Sequence, residues 1–248
     1  MNEITCISFL FEGPQPPFHD LFEQIQKSID RLPSTVTRLC IYGNRTEKQV
    51  SFKNLPDIEK LWMITYSVDS SSLPSLQSLI VHASSIKEHQ QLPDSLRYLN
   101  IDFKSEYPTN FATFCQTFIL PLSNLTELEI RLGNANADEG IDGFASFIRS
   151  SNLFDTLETL TIYMNGNTTA QPSEFWLNFI KPLDRLLELT IYGYSLSSEL
   201  IIDEYPLHLA FLKIAFDEII DPYGKSCTPW VRQNLEISPS TRGWVHHI

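Results

Sequence analysis

The residues of this chain whose types and spacing suit catalysis are two acidic residues and a histidine with an acidic partner. Glu127 and Glu129 are separated by one residue, so on a β-strand both side chains point to one face, about 7 Å apart. That separation does not exclude the carboxylate pair of a glycosidase. His82 and Asp102 occupy equivalent positions in two repeated segments, and on neighbouring strands they would lie about 5 Å apart. A hydrolase is therefore one hypothesis.

Other catalytic and ligand-binding patterns are missing from the sequence. No GxSxG elbow or other nucleophile motif accompanies His82, which favours a structural or binding role for this histidine. Residues 134–140 resemble a calcium-binding loop, but their glycine comes one position late and Ala145 stands where a glutamate is needed. The P-loop, GxGxxG, HExxH and paired CxxC patterns are absent. We expect no cofactor, no metal site and no enzymatic activity.

Composition and charge restrict the class of partner. Lys and Arg total 18 and Asp and Glu total 30, for a formal net charge of −12, and no basic stripe follows a phosphate backbone. We therefore expect neither nucleic acid nor a membrane as the primary partner. The N-terminus has no basic segment ahead of an apolar stretch, and no apolar run reaches the length of a membrane span. These features predict a soluble protein of the cytoplasm or nucleus.

One short pattern recurs along nearly the whole chain. It consists of an apolar residue, two variable residues, Leu, one variable residue, and then Ile, Val or Met. The copies begin at Val36, Ile58, Leu76, Leu96, Leu125, Leu157, Leu186 and Leu209, and Ile4 begins a further copy at the N-terminus. Within each copy the leucine and the last apolar residue point to one face of a short strand, because strand side chains alternate. One repeat cannot bury that face alone, so the pattern predicts stacked parallel strands covered by return segments.

The pattern resembles the consensus of leucine-rich repeat proteins, which it matches best at residues 36–44 and 157–165. The consensus asparagine is missing from most other copies, as in divergent, irregular members. The resemblance implies an α/β solenoid of about nine repeats, with a curved parallel sheet on the concave face and mixed helices and extended segments on the convex face. It also implies a protein-binding module similar to the repeat domains of F-box proteins. Because the first strand begins at about Ile4, we expect no F-box segment.

The return segments between the strands differ in length. Residues 18–29 place their apolar side chains on one helical face, and residues 111–118, 141–148 and 175–180 carry similar faces. The repeats that begin at Ile58 and Leu76 leave too few residues for an ordinary helix, which predicts extended or 3₁₀ return segments there.

No linker-like stretch divides the chain, which predicts a single domain over residues 1–248. We interpret residues 1–35 as an N-terminal capping repeat with a helix and residues 36–215 as the repeats. Residues 216–248 are interpreted as a C-terminal cap, because an uncovered last repeat would leave an apolar edge in water.

Residues between and beside the buried positions are predicted to line the concave face. The large ones are Tyr42, Trp62, Ile64, Ile80, Tyr98, Tyr163 and Tyr192, and the polar ones selected with them are His82, Asp102, Glu129 and Arg131. Tyr and Trp are enriched in binding hot spots, and contiguous exposed apolar surface marks interaction sites. The alternative interpretation is that these aromatic residues only stack across neighbouring strands.

The acidic residues suggest which partner this face would bind. Asp102, Glu127, Glu129 and Glu188, with Arg131 among them, form a mostly acidic middle that suits a basic or amphipathic protein segment. The alternative interpretation is a solvated polar surface that keeps the sheet soluble. We therefore predict a non-catalytic scaffold or adaptor subunit of a larger complex, which binds a protein through the concave face. A hydrolase that uses the concave-face carboxylates is the alternative, and binding through the convex face or an edge is a third possibility.

Overall fold

The computed structural model describes residues 6–10, 18–42, 49–63, 67–68, 72–83, 86, 91–103, 111–119, 121–132, 152–164, 183–196, 209–219 and 234–237. Its strands are β1 (Cys6–Leu10), β2 (Arg38–Tyr42), β3 (Gln49–Val50), β4 (Lys60–Met63), β5 (Ser67–Val68), β6 (Ser78–His82), β7 (Tyr98–Phe103), β8 (Glu127–Leu132), β9 (Thr159–Met164), β10 (Glu188–Leu196), β11 (Phe211–Ile219) and β12 (Asn234–Ile237). The helices are α1 (Phe18–Asp30) and α2 (Phe111–Phe114), with a π-helical segment at Cys115–Ile119 and a 3₁₀ turn at Asn152–Asp155. The protein is α/β, with few helices in these ranges.

Ten of these strands form one sheet, in the order β1-β2-β4-β6-β7-β8-β9-β10-β11-β12. All neighbouring strands are parallel except β12, which pairs antiparallel with β11. Strands β3 and β5 pair parallel in a separate small sheet. Strands of the large sheet thus follow one another in chain order, as the repeated pattern predicts for stacked parallel strands.

The repeated pattern also sets the register between strands. The leucines of successive copies pair in one row, Leu39, Leu61, Leu79, Leu99, Leu128, Leu160, Leu189 and Leu212, and the last apolar residues pair in a second row, Ile41, Met63, Val81, Ile101, Ile130, Ile162, Ile191 and Ile214. From β2 to β10 no member of either row is more than 3% exposed. The predicted apolar face of the parallel strands is therefore confirmed.

A recurring turn fixes where each strand begins. The N–H groups of Glu59 and Lys60 both donate to the carbonyl of Thr37, at 2.8 and 3.0 Å. The same pair of bonds recurs at later steps, onto the carbonyls of Glu59, Gln77, Arg97, Thr126, Glu158 and Leu187. Backbone groups ahead of each strand are thereby satisfied by the preceding repeat, and every strand starts in the same register as the one before.

The predicted first helix is confirmed as α1. Ile25 and Ile29 lie in the core, whereas Glu23 and Lys27 form an exposed ion pair at 3.9 Å on the opposite side. Gln26 forms two hydrogen bonds that join the helix to the return segment ahead of β4. Its Nε2 donates to the carbonyl of Ser51 at 2.9 Å, and the N–H of Ser51 donates to its Oε1 at 3.0 Å. Both backbone groups of an irregular residue are thus satisfied.

Where the other return segments are described, the longer one contains an α-helix and the short ones do not, as predicted. The apolar face predicted from Phe111 becomes α2 and the π-helical segment, in which Phe114, Cys115 and Phe118 are buried. The described residues between β4 and β7 contain no α-helix. The helical faces predicted at 141–148 and 175–180 lie outside the described residues. In the described part of the chain, neither helix has the length and hydropathy of a membrane span.

Removing a buried leucine from the central strands should destabilise the whole sheet. Leu128→Ala is expected to lower the free energy of unfolding by about 2–5 kcal/mol, because it deletes three carbon atoms from a packed row. Glu127→Ala, one residue earlier on the exposed side of β8, is expected to change it by less than about 0.5 kcal/mol. Urea denaturation of the two variants measures both values, and equal losses would contradict this assignment of the faces.

Candidate functional site

The opposite face of the sheet, which we call the outer face, carries the residues that alternate with the buried rows. It contains two of the rows that the register aligns. One row runs through Cys40, Trp62, Ile80, Asn100, Glu129, Thr161 and Thr190, and the next runs through His82, Asp102, Arg131, Tyr163 and Tyr192. Trp62 is 40% exposed, and only it and Leu187, at 45%, are large exposed hydrophobic residues in the described ranges.

A pocket of about 310 Å³ opens on the outer face across β4, β6, β7, β8 and β9. Its lining residues are Trp62, Ile80, Val81, His82, Asn100, Asp102, Glu129, Arg131 and Tyr163. The pocket exists because the two outer rows run side by side across these strands. Residues up to about 100 positions apart in the chain are thereby brought together, at strand spacings of about 5 Å.

Most residues predicted to bind a partner meet at this pocket. Seven of them line it, Trp62, Ile80, His82, Asp102, Glu129, Arg131 and Tyr163. Tyr98 is hydrogen-bonded to Glu129, and Tyr192 is stacked on Tyr163. Ile64 and the side chain of Tyr42 lie outside the described residues.

Glu129 is the centre of a hydrogen-bond network on this face. Arg131 Nη2 donates to its Oε1 at 2.9 Å, and the Tyr98 hydroxyl donates to its Oε2 at 3.1 Å. Asn100 Nδ2 in turn donates to the Tyr98 hydroxyl at 3.3 Å. Both carboxylate oxygens of Glu129 are engaged, so the network holds one side of the pocket in a defined arrangement.

Aromatic stacking extends this network across three strands. The Arg131 guanidinium lies 4.5 Å from the centroid of the Tyr163 ring, a cation–π distance. The Tyr163 ring stacks on Tyr192, with centroids 4.6 Å apart and planes inclined by 8°. Arg131, Tyr163 and Tyr192 therefore form one stack that runs along the outer row from β8 to β10.

The pKa values of the site reflect its burial and its negative charge. Burial raises the pKa of Tyr98 to about 12, with further contributions from the Glu129 and Glu127 carboxylates, against a lowering by the Asn100 hydrogen bond. Burial and then Glu129 also raise the pKa of Tyr163. The hydrogen bond to Glu129 raises the pKa of Arg131. Both tyrosines are thus neutral, and Arg131 is charged, over the whole physiological range.

His82 and Asp102 form the pair that their equivalent positions predict. They are paired in register, and His82 Nδ1 lies 3.5 Å from Asp102 Oδ2. The pattern placed His82 on an exposed face, but it is only 8% exposed and Asn100 only 7%. Alternation fixes the direction in which a side chain leaves the strand, whereas its depth depends on the bulk of its neighbours. These two residues lie deep in the outer face, where larger side chains such as Trp62 form the rim.

Asn100 contributes to the site although it was not among the predicted binding residues. The repeated pattern places it on the exposed face of the sheet, between Tyr98 and Asp102 on β7, and it pairs in register with Glu129. A polar residue at the centre of an L-x-L element, between two predicted binding residues, is the signal that points to it. Arg131, which the sequence places among the acidic residues of this face, pairs with Glu129.

Two further observations concern metal binding and thiol chemistry. Within the described residues, no group of three or more His, Cys, Asp and Glu side chains could hold a metal ion. Cys115 is buried, and burial raises the pKa of its thiol well above the usual range, which disfavours a reactive thiolate at this position.

No protein-family model, curated protein or solved structure matches this chain. Inference about its function therefore depends on the residues of the outer face and on the way in which the sheet arranges them.

The Tyr98 hydroxyl should report on the charge of Glu129. In Glu129→Gln we expect the pKa of Tyr98 to fall from about 12 toward, but not to, its ordinary value of 10.0, because burial remains the largest cause of the rise. Alkaline titration of tyrosine absorbance measures this shift, with Tyr98→Phe identifying the contribution of Tyr98. Glu188→Gln, which removes a carboxylate from another part of the outer face, is the control and should leave the Tyr98 pKa unchanged.

The same shift makes stability depend on pH. The native state holds the proton of Tyr98 more tightly than the unfolded chain does, so its stabilising effect is complete below pH 10 and is lost as the pH rises toward 12. The free energy of unfolding should therefore fall more steeply above pH 10 in the wild type than in Tyr98→Phe. Equal slopes in the two proteins would show that Tyr98 is not buried as described.

Proposed function

We propose that this chain is a leucine-rich repeat protein that acts as a non-catalytic scaffold or adaptor and binds a protein partner through the outer face of its sheet. The observation that carries the proposal is the exposed Trp62 at the rim of a 310 Å³ pocket, beside polar groups held in a fixed network. An exposed tryptophan next to a preformed pocket is a typical anchor point of protein interfaces.

The regularity of the backbone supports the family assignment. The same two hydrogen bonds join each repeat to the one before it, at seven successive steps from β4 to β11. From β4 to β10 each step also buries a new pair of apolar side chains, as in solenoid proteins. We infer a curved solenoid of about nine repeats, with the outer face as the concave surface and β12 as part of a C-terminal cap.

The rigidity of the outer face supports a binding role. Arg131, Tyr163 and Tyr192 are stacked, and Glu129 is held by two hydrogen bonds. Side chains that are already ordered in the free protein lose little conformational entropy when a partner binds. Aromatic residues also contribute large contact areas with few rotatable bonds. The face is thus prepared for a partner without rearrangement.

The charge of the protein supports a basic or amphipathic segment as the partner. The formal net charge is −12, which attracts cationic partners during diffusion and repels nucleic acid and anionic membranes. On these grounds we propose a soluble subunit of a protein complex in the cytoplasm or nucleus.

A hydrolase is the alternative, and one observation favours it. The pocket brings the His82–Asp102 pair and Glu129 together. However, both oxygens of Glu129 already accept hydrogen bonds from Tyr98 and Arg131, so neither can accept a further proton or attack a substrate without competing with these donors. Turnover that is lost in Glu129→Gln during a screen of glycoside and ester substrates would support the hydrolase, and absence of turnover in the wild type would count against it.

The binding proposal is tested with two matched aspartate variants. Trp62→Asp places a charge at the rim of the pocket, and Leu187→Asp places one at the other large exposed hydrophobic residue, away from the pocket. Affinity purification from the native cell, followed by mass spectrometry, identifies partners of the wild type. With the purified partner, Trp62→Asp is expected to weaken binding roughly thirtyfold, corresponding to a hot spot of about 2 kcal/mol.

Leu187→Asp should bind the same partner as the wild type does, and both variants should unfold within a few degrees of it. Loss of binding in both variants to the same degree would indicate a general effect of charge or stability. Unchanged binding of Trp62→Asp would move the interface to the convex side or to an edge of the sheet.

A further inference from the structure

The geometry points to the pocket as a receptor for one lysine or arginine side chain of the partner, which the carboxylate of Asp102 and the ring of Trp62 recognise. This inference rests on the proposed role of the outer face in protein binding and adds the chemistry of the group that enters the pocket.

The charge balance of the pocket is negative. Glu129 and Arg131 neutralise each other across a 2.9 Å hydrogen-bonded ion pair. Asp102 remains, with 30% of its side chain exposed and its Oδ2 3.5 Å from His82 Nδ1. That contact is an ion pair only when the imidazole is protonated. The Asp102 carboxylate also acts on Arg131, because its charge contributes to the raised pKa of that guanidinium. One guanidinium thus faces two carboxylates in the pocket lining, and while His82 is neutral the lining carries an excess of negative charge.

Hydrogen-bond acceptors are also available next to this carboxylate. In the described part of the chain, the Asn100 side chain uses its amide nitrogen, which donates to Tyr98. Its amide oxygen is left to accept a hydrogen bond. Asn100 and Asp102 are two residues apart on β7 and line the same pocket, about 7 Å apart along the strand. An ammonium has three donors and a guanidinium has five, so either group can bond to Asp102, and the separated nitrogens of a guanidinium can reach both acceptors.

The opposite wall suits the carbon stem of such a side chain. Trp62 and Ile80 are paired in register on β4 and β6, so their side chains lie about 5 Å apart on the outer face. Lysine and arginine bury their methylene groups against apolar surface while keeping the charged end in a polar environment. A cation near the tryptophan ring is further stabilised by the ring quadrupole. The volume of about 310 Å³ lies at the lower end for ligand pockets, which suits one side chain.

An acidic side chain fits the same pocket less well. Arg131 is the cation that would bind it, but Arg131 already pairs with Glu129 and stacks on Tyr163. An incoming carboxylate would have to displace Glu129 and would lie beside the Asp102 carboxylate. Like charges at this distance repel, so a preference for acidic ligands is the result that most directly opposes the inference.

Short peptides test the inference without knowledge of the partner. The probes are acetylated and amidated pentapeptides with one arginine, lysine, glutamine or glutamate between pairs of glycines, titrated into the full chain labelled with ¹⁵N on its tryptophan indoles. The Trp62 resonance is assigned with Trp62→Phe. The arginine or lysine peptide is expected to shift it and to bind at least about tenfold more tightly than the glutamine peptide, which has a similar stem but no charge.

Two variants with equal changes of charge locate the effect. Asp102→Asn removes the carboxylate from the pocket and should abolish the tenfold preference. Glu188→Gln removes a carboxylate from an exposed position of the outer face that does not line the pocket, and should change the affinity less than about twofold because its charge is screened by water and salt. If Asp102→Asn does not fold, the comparison of peptides on the wild type still decides the question.

Each contrary result is distinct. The cation receptor would be overturned by equal affinities for the arginine and glutamine peptides or by a preference for glutamate. It would also be overturned by equal effects of the two variants or by no binding of any peptide. The proposed function would stand if Trp62→Asp still lost its protein partner while Asp102→Asn kept it. It would fall together with this inference if the partner bound Trp62→Asp as tightly as it binds the wild type.

Discussion

The structure depends on one backbone interaction, in which two successive N–H groups at the start of a strand share a single carbonyl of the preceding repeat. This contact satisfies groups that would otherwise be buried without partners, and it sets each new strand in register with the last. A slip by one residue would turn every leucine of the strand outward. Because the contact recurs from β4 to β11, the buried rows stay aligned through returns of different length.

The same register aligns the side chains of the outer face and thereby decides which of them are neighbours. Side chains that alternate with the buried leucines fall into rows of their own, so a histidine meets an aspartate and an arginine meets a tyrosine on neighbouring strands. Glu129 occupies the centre, where a hydroxyl and a guanidinium both donate to it. The hydrogen bonds of the site lie both within and between strands, since Asn100 donates to Tyr98 on β7 and Arg131 to Glu129 on β8, whereas Tyr98 donates to Glu129 across the two strands.

Much of the fold was predictable because it follows from short patterns. The strands, their parallel order, their buried residues and α1 all follow from spacing within a few residues and from the need to cover an apolar face. The pairing of His82 with Asp102 was predictable for the same reason, since equivalent positions of adjacent repeats become neighbours. Family membership, the number of repeats and the protein-binding role remain predictions.

Sequence by itself determined which side chains share the outer face, because alternation along a strand is a local rule. Only the tertiary structure decided how deep each one lies and what it contacts. His82 and Asn100 became buried, Glu129 paired with Arg131, and His82 came within 3.5 Å of Asp102. The Glu129–Arg131 pair joins two residues of β8, but the burial of His82 and Asn100 depends on the bulk of residues about 20 to 30 positions away in the chain, which a local pattern does not encode. Direction is set within one strand, whereas burial is set between strands.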